Sequence, residues 1–284
     1  MPTTIPRPQQ TGVALDSIEI PPFPAIAIKA LQVISKDHSR LSQLSDLIRS
    51  DAAFSAELLR TVNSPFFGLR TEVKSVLQAT LLLGLERIKG LVVTIGMRAY
   101  LGESLKVPAL RACWRHSLAC AMIAEELTKR SLEDKDVAYT AGIIHDIGRF
   151  GLAVAYPEQY ASFLERTIDG PSAVLERERE LFGIDHCEAG KYLVLRWNLP
   201  KEFGRVTSEH HRRATGGTFD LVAVIRTSCM MADALGFEVV LPREPRNYKE
   251  LLADLPERHR ELLSRDAEEL SFRIATKINS LESI

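Results

Sequence analysis

Apolar residues recur three and four positions apart along most of this chain, and this spacing constrains the fold more than any other feature. The clearest stripes are Phe54, Leu58 and Val62, and then Leu270, Ile274, Ile278 and Leu281 near the C-terminus. A period near 3.6 places each stripe on one face of an α-helix. The alternation typical of β-strands is missing from the sequence, apart from a short apolar run over residues 237–241. The pattern predicts an all-α protein.

Proline, glycine and polar runs divide the chain into four predicted parts. Residues 1–16 are rich in Pro, Thr and Gln, and we expect them to form a flexible N-terminus. An N-terminal helical subdomain follows over residues 17–108. A second helical subdomain, over residues 109–236, holds most of the histidines. Residues 237–284 are charged and carry one amphipathic stripe, so they are predicted to form a C-terminal helical extension.

Charge and composition exclude several classes of protein. The 284 residues carry 36 basic and 37 acidic side chains, so the chain lacks the positive balance with which proteins hold a phosphate backbone. The most apolar stretches contain charged residues, and the N-terminus has no apolar segment typical of a secretory signal. The four cysteines form no CxxC pair and are expected to be buried free thiols. We expect a cytoplasmic protein that binds neither membranes nor nucleic acid.

Five of the seven histidines fall between residues 116 and 211, and two aspartates accompany them. The set is His116, His145, Asp146, His186, His210, His211 and Asp233. Imidazole and carboxylate together suit divalent ions such as Mn, Fe, Co or Zn, while the scarcity of thiolates argues against a structural zinc site. Asp233 lies in an otherwise apolar segment, where a buried carboxylate needs either a metal ion or an arginine as its partner.

Each of these residues also has an ordinary structural interpretation. His116 is satisfied if it bonds a nearby carbonyl, and His210 and His211 are favoured by the dipole if they end a helix. Asp185 and Asp233 would serve equally well as helix caps or as members of ion pairs. The residue types alone leave both interpretations open, and the order of the residues along the chain favours a metal site.

The order His, His-Asp, His, His-His, Asp, with the segment GIIHDIGRF around His145, resembles the HD superfamily of metal-dependent phosphohydrolases. Within it, the pattern is close to the HD-GYP phosphodiesterases of cyclic dinucleotides. In that family the matching residues are metal ligands, namely His116, His145, Asp146, His186, His210, His211 and Asp233. The resemblance implies one or two divalent ions, Fe, Mn, Zn or Mg, with Asp146 bridging two of them.

The first half of the chain resembles a narrower family. Three segments, PPFPAIAIKALQVI, LSDLIRSDAAFSAELLRTVNSPFFGL and VKSVLQATLLLGLERIKGLVV, are similar to the HDOD domain, a regulatory relative of HD-GYP. The resemblance runs from Pro21 to Asp233. It implies a bacterial signal-transduction module that acts through contacts with a signalling protein partner rather than through turnover.

Two departures from the enzyme pattern favour the regulatory interpretation. Arg149 stands where HD-GYP enzymes have a lysine that helps to hold phosphate, and arginine does not reproduce the point-donor geometry of lysine. The string RRATGG replaces the GYP loop after the two histidines. We therefore expect a non-catalytic HDOD module that retains a divalent metal. The alternative is a metal-dependent phosphohydrolase with a cyclic-dinucleotide ligand, in which Arg149 contacts phosphate.

Overall fold

A computed structural model describes residues 22–34, 41–129, 134–168, 170–212, 219–241 and 246–283. The elements in these ranges are helices, as the apolar spacing predicts. The first are α1 (Ala25–Ile34), α2 (Leu41–Arg49), α3 (Ala52–Val62), α4 (Val76–Leu83), α5 (Leu85–Leu101) and α6 (Pro108–Thr128). The next are α7 (Lys135–Ile144), α8 (Ile147–Ala155), α9 (Pro157–Leu164), α10 (Gly170–Phe182), α11 (His186–Arg196) and α12 (Glu202–Glu209). The last are α13 (Leu221–Ala232), α14 (Tyr248–Ala253), α15 (Glu257–Arg260) and α16 (Ala267–Glu282).

Local capping chemistry fixes where several of these helices begin. The Asp51 carboxylate accepts the Phe54 amide at 2.9 Å at the start of α3. Asp185 and Glu188 form a reciprocal capping box at the start of α11. Both caps satisfy amides that the first turn of a helix leaves without partners. The sequence predicts both, whereas a cap predicted at Ser39 lies outside the described residues.

The apolar run over residues 237–241 does not form a strand of any sheet within the described ranges. Leu241 makes an isolated bridge to Thr167, and its carbonyl accepts the Ile168 amide at 3.1 Å. Just before this run, a π-helical turn over Asp233–Phe237 follows α13 and closes at Gly236, whose φ of 88° favours glycine. Residues 237–241 are therefore a connecting segment that follows α13 and its π-helical turn.

One hydrophobic core runs from Phe23 to Leu281, and α6 lies at its centre against α7, α13 and α16. The stripe Leu270, Ile274, Ile278 and Leu281 is buried, as predicted. Arg115 on α6 pairs with Glu282 on α16 at 2.7 Å. The C-terminal extension thus packs on the body of the molecule. Because the core continues across residues 108 and 236, the boundaries placed there stay a prediction, and the flexible N-terminus expected over residues 1–16 lies outside the described residues.

The NSPFFGL segment forms a packed corner between α3 and α4. The Asn63 side chain bonds the backbone of Val73 in both directions, at 2.8 and 2.7 Å. The rings of Phe66 and Phe67 meet edge to face at 5.0 Å, and the guanidinium of Arg87 lies 5.3 Å from the Phe67 ring. These contacts attach the corner to the α5 helix.

None of the helices in the described ranges combines the length and the apolar character that crossing a membrane requires.

Leu58 on α3 offers a direct test of the core assignment. Its side chain is fully buried, so Leu58→Ala leaves a cavity and is expected to lower the free energy of unfolding by about 2–5 kcal/mol in urea denaturation. Leu81→Ala on α4 is the matched control, because that side chain is 63% exposed and its removal should change stability by less than about 0.5 kcal/mol. Equal losses in the two variants would contradict the packing of α3.

Candidate metal centre

His145 and Asp146 lie in a break between two helices. The apolar spacing predicts a single helix over residues 137–149, and this prediction is wrong, because α7 ends at Ile144 and α8 begins at Ile147. Asp146 has φ −101° and ψ 19°, which lies outside the helical region. The break turns both side chains toward the centre of the second subdomain, where they are fully or almost fully buried.

Two glycines let neighbouring helices approach this break. A Cβ atom added at Gly148 would lie 1.9 Å from the His186 carbonyl oxygen and 2.5 Å from the Gly190 amide nitrogen. A Cβ atom at Gly142 would lie 2.4 Å from the Ala121 Cα atom. Only glycine permits such backbone contact. The contacts bring α11 against α8 and α6 against α7, so that histidines distant in sequence meet.

Four histidines have their Nδ1 atom engaged by an oxygen acceptor. The partners are Phe237 O for His116 at 2.8 Å, Gly142 O for His145 at 2.7 Å, Thr207 O for His210 at 3.0 Å, and Glu178 Oε2 for His186 at 2.5 Å. A carbonyl or carboxylate oxygen can only accept, so the proton lies on Nδ1 and each Nε2 presents its lone pair. Ligating histidines in metalloproteins are oriented in this way.

Within the part of the chain that the structure describes, three polar atoms of this region are buried without a hydrogen-bond partner: His145 Nε2, His210 Nε2 and Asp146 Oδ1. All three are acceptors, because both imidazoles carry their proton on Nδ1 and the carboxylate is ionised. Burying such atoms unpaired costs about 1–3 kcal/mol each, and more for a charge. A cation among them would satisfy all three at once, which a hydrogen bond between acceptors cannot do.

The first group of candidate ligands consists of Asp146, His186, His210 and His211. Asp146 Oδ1 lies 3.3 Å from His210 Nε2 and 3.5 Å from His186 Nε2. His211 Nε2 lies 3.1 Å from His186 Nε2. Oxygen and nitrogen ligands about 2.0–2.1 Å from a tetrahedral ion lie about 3.3 Å from one another. The spacing of this group therefore fits a single ion.

The second group consists of His116, His145 and Cys229. Cys229 Sγ lies 3.4 Å from His116 Nε2, and the two imidazole rings are 5.4 Å apart between centroids. Sequence analysis places Cys229 among the buried free thiols, and it is indeed buried and free. It went unnoticed as a candidate ligand, although its position four residues before Asp233 puts both on the same face of the α13 segment.

Asp233 lies on the other side of the His116 ring. Its Oδ1 atom is 3.5 Å from Nδ1 of His116, the nitrogen that donates to Phe237, and its side chain is 27% exposed. Burial raises the pKa of Asp233, and the neighbouring His116 and Arg246 side chains oppose this only in part. The structure thus brings six of the seven sequence-predicted residues into two adjoining groups and places Asp233 at their edge. The role of all seven as ligands stays a prediction.

A buried network of ionic and hydrogen bonds supports the first group from behind. Arg149 Nε donates to Asp146 Oδ2 at 2.9 Å, and an NH1 atom of Arg149 lies 3.3 Å from Glu178 Oε1. Tyr160 donates to the same Glu178 oxygen at 2.7 Å. Sequence analysis missed Glu178, and it gave Arg149 a phosphate contact only in the phosphohydrolase alternative. In the structure the guanidinium is buried among carboxylates instead.

These contacts set the charge state of the site. Burial alone would raise the pKa of Asp146, but Arg149 and His145 outweigh it and hold that pKa well below its ordinary value. Burial likewise opposes ionisation of Glu178, but His186 and Arg149 lower its pKa. Burial lowers the pKa of His145 to about 3, so its imidazole is neutral at neutral pH. Neutral imidazoles beside an ionised carboxylate are the donor set of a divalent metal site.

A cleft of about 520 Å³ opens over the two groups. It is lined by Pro171, Ser172, His210, His211, Arg226, Cys229, Met230, Asp233 and Arg246. Both candidate groups contribute to its floor, through His210 and His211 on one side and Cys229 on the other. The cleft gives ions and small ligands a route to the site.

Comparison with known sequences finds one matching domain family and one curated relative. The sequence profile of the HDOD domain matches residues 20–213. An uncharacterized protein of Treponema pallidum (strain Nichols) is 26% identical over 197 residues, which make up 68% of this chain and 38% of that protein. The chain thus spans well under half the length of this curated relative.

Several solved structures share the fold. An HDOD domain protein of unknown function from Geobacter sulfurreducens superposes with a TM-score of 0.69 at 20% identity, over 93% of this chain and 92% of that one. A candidate phosphohydrolase from Shewanella amazonensis SB2B gives 0.65 at 22% identity, over 94% and 93%. A candidate signal transduction protein from Marinobacter aquaeolei VT8 gives 0.62 at 18% identity, over 94% and 59%. Likeness at this level of identity speaks for a common helical architecture.

Proposed function

The chain belongs to the HDOD domain family, and from this premise we propose that it is a bacterial signal-transduction regulator that holds a divalent metal and acts through protein contacts rather than through catalysis. The names of its structural relatives include both a signal transduction protein and a phosphohydrolase. The buried histidine cluster is compatible with either, so the choice rests on how the cluster is built.

The position of Arg149 carries the regulatory proposal. Its Nε atom lies 2.9 Å from Asp146 Oδ2 within a fully packed environment. Hydrolysis by a two-metal site requires ions about 3.5–4 Å apart that clamp the attacking and leaving oxygens. Arg149 donates to Asp146 Oδ2 and places a fixed positive charge beside that oxygen, which disfavours a second cation there. Oδ1 is then the Asp146 oxygen that is best placed to bind an ion. This arrangement supports a metal that stabilises the fold.

A metal held by the first group would join separate helices. Asp146 lies between α7 and α8, His186 begins α11, and His210 follows α12. A divalent ion carries a fixed positive charge that pairs with the carboxylate, and the ion is bound by the lone pairs of the imidazole nitrogens. Binding would therefore stabilise one arrangement of these helices, and that arrangement would present the surface that a signalling protein in the cytoplasm recognises. The candidate signal transduction protein from Marinobacter aquaeolei supports this assignment.

The second candidate function is a metal-dependent phosphohydrolase, and the cleft favours it. Arg226 and Arg246 line the cleft beside His210 and His211. Guanidinium groups suit phosphate oxygens, because each offers paired donors. In this case a phosphodiester such as a cyclic dinucleotide would occupy the cleft. The candidate phosphohydrolase from Shewanella amazonensis supports this alternative.

Metal analysis of the full chain, purified without chelator, tests the proposal beside a hydrolysis screen. We expect bound divalent metal and no hydrolysis of phosphomonoesters or phosphodiesters above the metal blank with Mn²⁺, Fe²⁺, Zn²⁺ or Mg²⁺. Asp146→Ala should weaken metal binding by at least about 10–100-fold, because even residues behind the ligands have effects of that size. Asp46→Ala is the control, since its carboxylate is exposed on α2 and pairs with Arg49 at 3.6 Å, in an ion pair that is exposed on both sides.

Two results would overturn the regulatory proposal. Metal-dependent hydrolysis that Asp146→Ala abolishes, with the circular dichroism spectrum unchanged, would establish the phosphohydrolase. If the wild-type chain bound none of these ions, neither candidate function could depend on a metal.

A further inference from the structure

We propose that Cys229 is a metal ligand, which with His116 and His145 forms a second ion position beside the group around Asp146. This inference rests on the proposed metal binding and deepens it. The resemblance implies a site of imidazole and carboxylate ligands, whereas the proposed site also contains a thiolate. The sequence pattern assigns the corresponding role to Asp233, four residues further along the chain.

The interatomic distances fit a shared ion. Cys229 Sγ and His116 Nε2 are 3.4 Å apart. Sulfur at about 2.3 Å and nitrogen at about 2.0–2.1 Å from a tetrahedral zinc ion would be about 3.6 Å apart. His145 Nε2 belongs to the same group and is fully buried without a hydrogen-bond partner. Its lone pair is therefore available to an ion that this group binds.

Charge gives a second, independent argument. Imidazoles that bind an ion through a lone pair bring no negative charge, so His116 and His145 alone would leave a divalent ion without an anionic ligand at this position. Asp146 Oδ2 lies 3.7 Å from His145 Nε2, but it already accepts the hydrogen bond from Arg149. The Asp233 carboxylate lies nearest to His116 Nδ1, the protonated side of the ring. Of the described groups in reach of both Nε2 atoms, Cys229 alone completes a ligand set with them.

Ligation requires that the Cys229 S–H bond break and an Sγ–metal bond form. The proton leaves to solvent through the cleft, since Cys229 lines the cleft wall. No oxidant or reductant takes part. Thiolate with imidazole selects Zn²⁺ or another borderline ion over Mg²⁺, which prefers oxygen ligands. The two positions would thus differ in preference: the Cys229 position for Zn²⁺, and the Asp146 position for a wider range of divalent ions.

Cobalt titration of the metal-free full chain tests the inference. Co²⁺ is the probe, because a thiolate bound to it gives a near-ultraviolet charge-transfer band that imidazole and carboxylate ligands do not give. We expect the wild type to develop this band as Co²⁺ binds, and Cys229→Ser to lose it together with about one ion per chain in elemental analysis. Cys229→Asp should recover the ion without the band, because a carboxylate can replace the thiolate charge.

Cys120→Ser is the matched control. Cys120 is also fully buried and lies on α6 one turn beyond His116, but its Sγ atom faces the Ile225 carbonyl at 3.8 Å, an acceptor that serine can still bond. This variant should keep both the band and the ion. If Cys229→Ser fails to fold by circular dichroism, the wild type, Cys229→Asp and Cys120→Ser still decide the question.

The failures of the two proposals are distinguishable. Co²⁺ that binds without a thiolate band, and that Asp146→Ala removes, would overturn the role of Cys229 and leave the metal-binding proposal standing. A band that survives in Cys229→Ser or Cys229→Asp would assign the thiolate to another cysteine. A wild-type chain that binds no Co²⁺ would overturn both.

Discussion

Gly148→Ala is expected to destabilise the protein by more than about 4 kcal/mol, at the extreme end of single substitutions. The new Cβ atom would lie 1.9 Å from the His186 carbonyl oxygen and 2.5 Å from the Gly190 amide nitrogen. Both are backbone atoms of α11, so no side-chain rotation relieves the overlap, and α8 must move away from α11. Alanine favours a helix by up to about 1 kcal/mol over glycine, which is too little to compensate.

The consequence for function follows from the same contact. Moving α8 from α11 separates Asp146 from His186, whose ligand atoms are 3.5 Å apart. We therefore expect Gly148→Ala to lose both cooperative urea unfolding and metal binding.

Gly204→Ala is the control for this prediction. Gly204 lies in α12, and the nearest atom to its added Cβ is Val194 Cγ1 at 3.8 Å, an ordinary van der Waals contact. This variant should be unchanged or more stable by up to about 1 kcal/mol. If urea denaturation in the presence of chelator gives the same free energy of unfolding for both variants, the close approach of α8 and α11 is contradicted.

The helices and their caps were predictable because their signals are local. The i, i+4 spacing of Phe54, Leu58 and Val62 depends only on residues within α3, and the Asp51 cap depends on an amide three residues away. The break at His145–Asp146 was not predictable in this way. Apolar residues continue through it at helical spacing, and tertiary contacts between α8 and α11 determine where the chain turns. The one sequence signal near the break is Gly148, which marks a close backbone approach.

The residues of the candidate site could be predicted where they match the motif of the family, and not elsewhere. Glu178 lies in the charged run LERERELF, where its composition does not distinguish it from its neighbours. Its spacing does, because Val174, Glu178 and Phe182 are the buried face of α10. A glutamate at an apolar position needs a cation and hydrogen-bond donors, and the structure supplies the Arg149 guanidinium and the His186 Nδ1 proton. Cys229 was missed for the opposite reason, since a cysteine on an apolar face is ordinary core.

Arg149→Met is expected to lower the free energy of unfolding by about 3–5 kcal/mol in the presence of chelator, because it leaves two buried carboxylates without their cation. Asp146 Oδ2 loses its 2.9 Å bond, and Glu178 Oε1 keeps only Tyr160. Methionine fills much of the same volume, so the loss reports charge rather than a cavity. Arg177→Met, one position before Glu178 on α10, is the control: this arginine pairs with Glu180, both side chains are exposed (45% and 62%), and exposed pairs contribute about 0–1 kcal/mol.

The double variant Arg149→Met/Glu178→Gln separates the interaction energy between these two residues from the stability effects of the two single substitutions. Once the arginine is gone, the second substitution removes a buried charge that has lost a partner, while the glutamine carbonyl still accepts the His186 Nδ1 proton, as the carboxylate does at 2.5 Å. We therefore expect the double variant to be more stable than the sum of the two single effects predicts, by about 0.5–3 kcal/mol. Strict additivity, or a loss in Arg149→Met no larger than in Arg177→Met, would show that Arg149 does not hold the carboxylates. The proposed function would then lose its main support, because Asp146 Oδ2 would be free to bridge two ions.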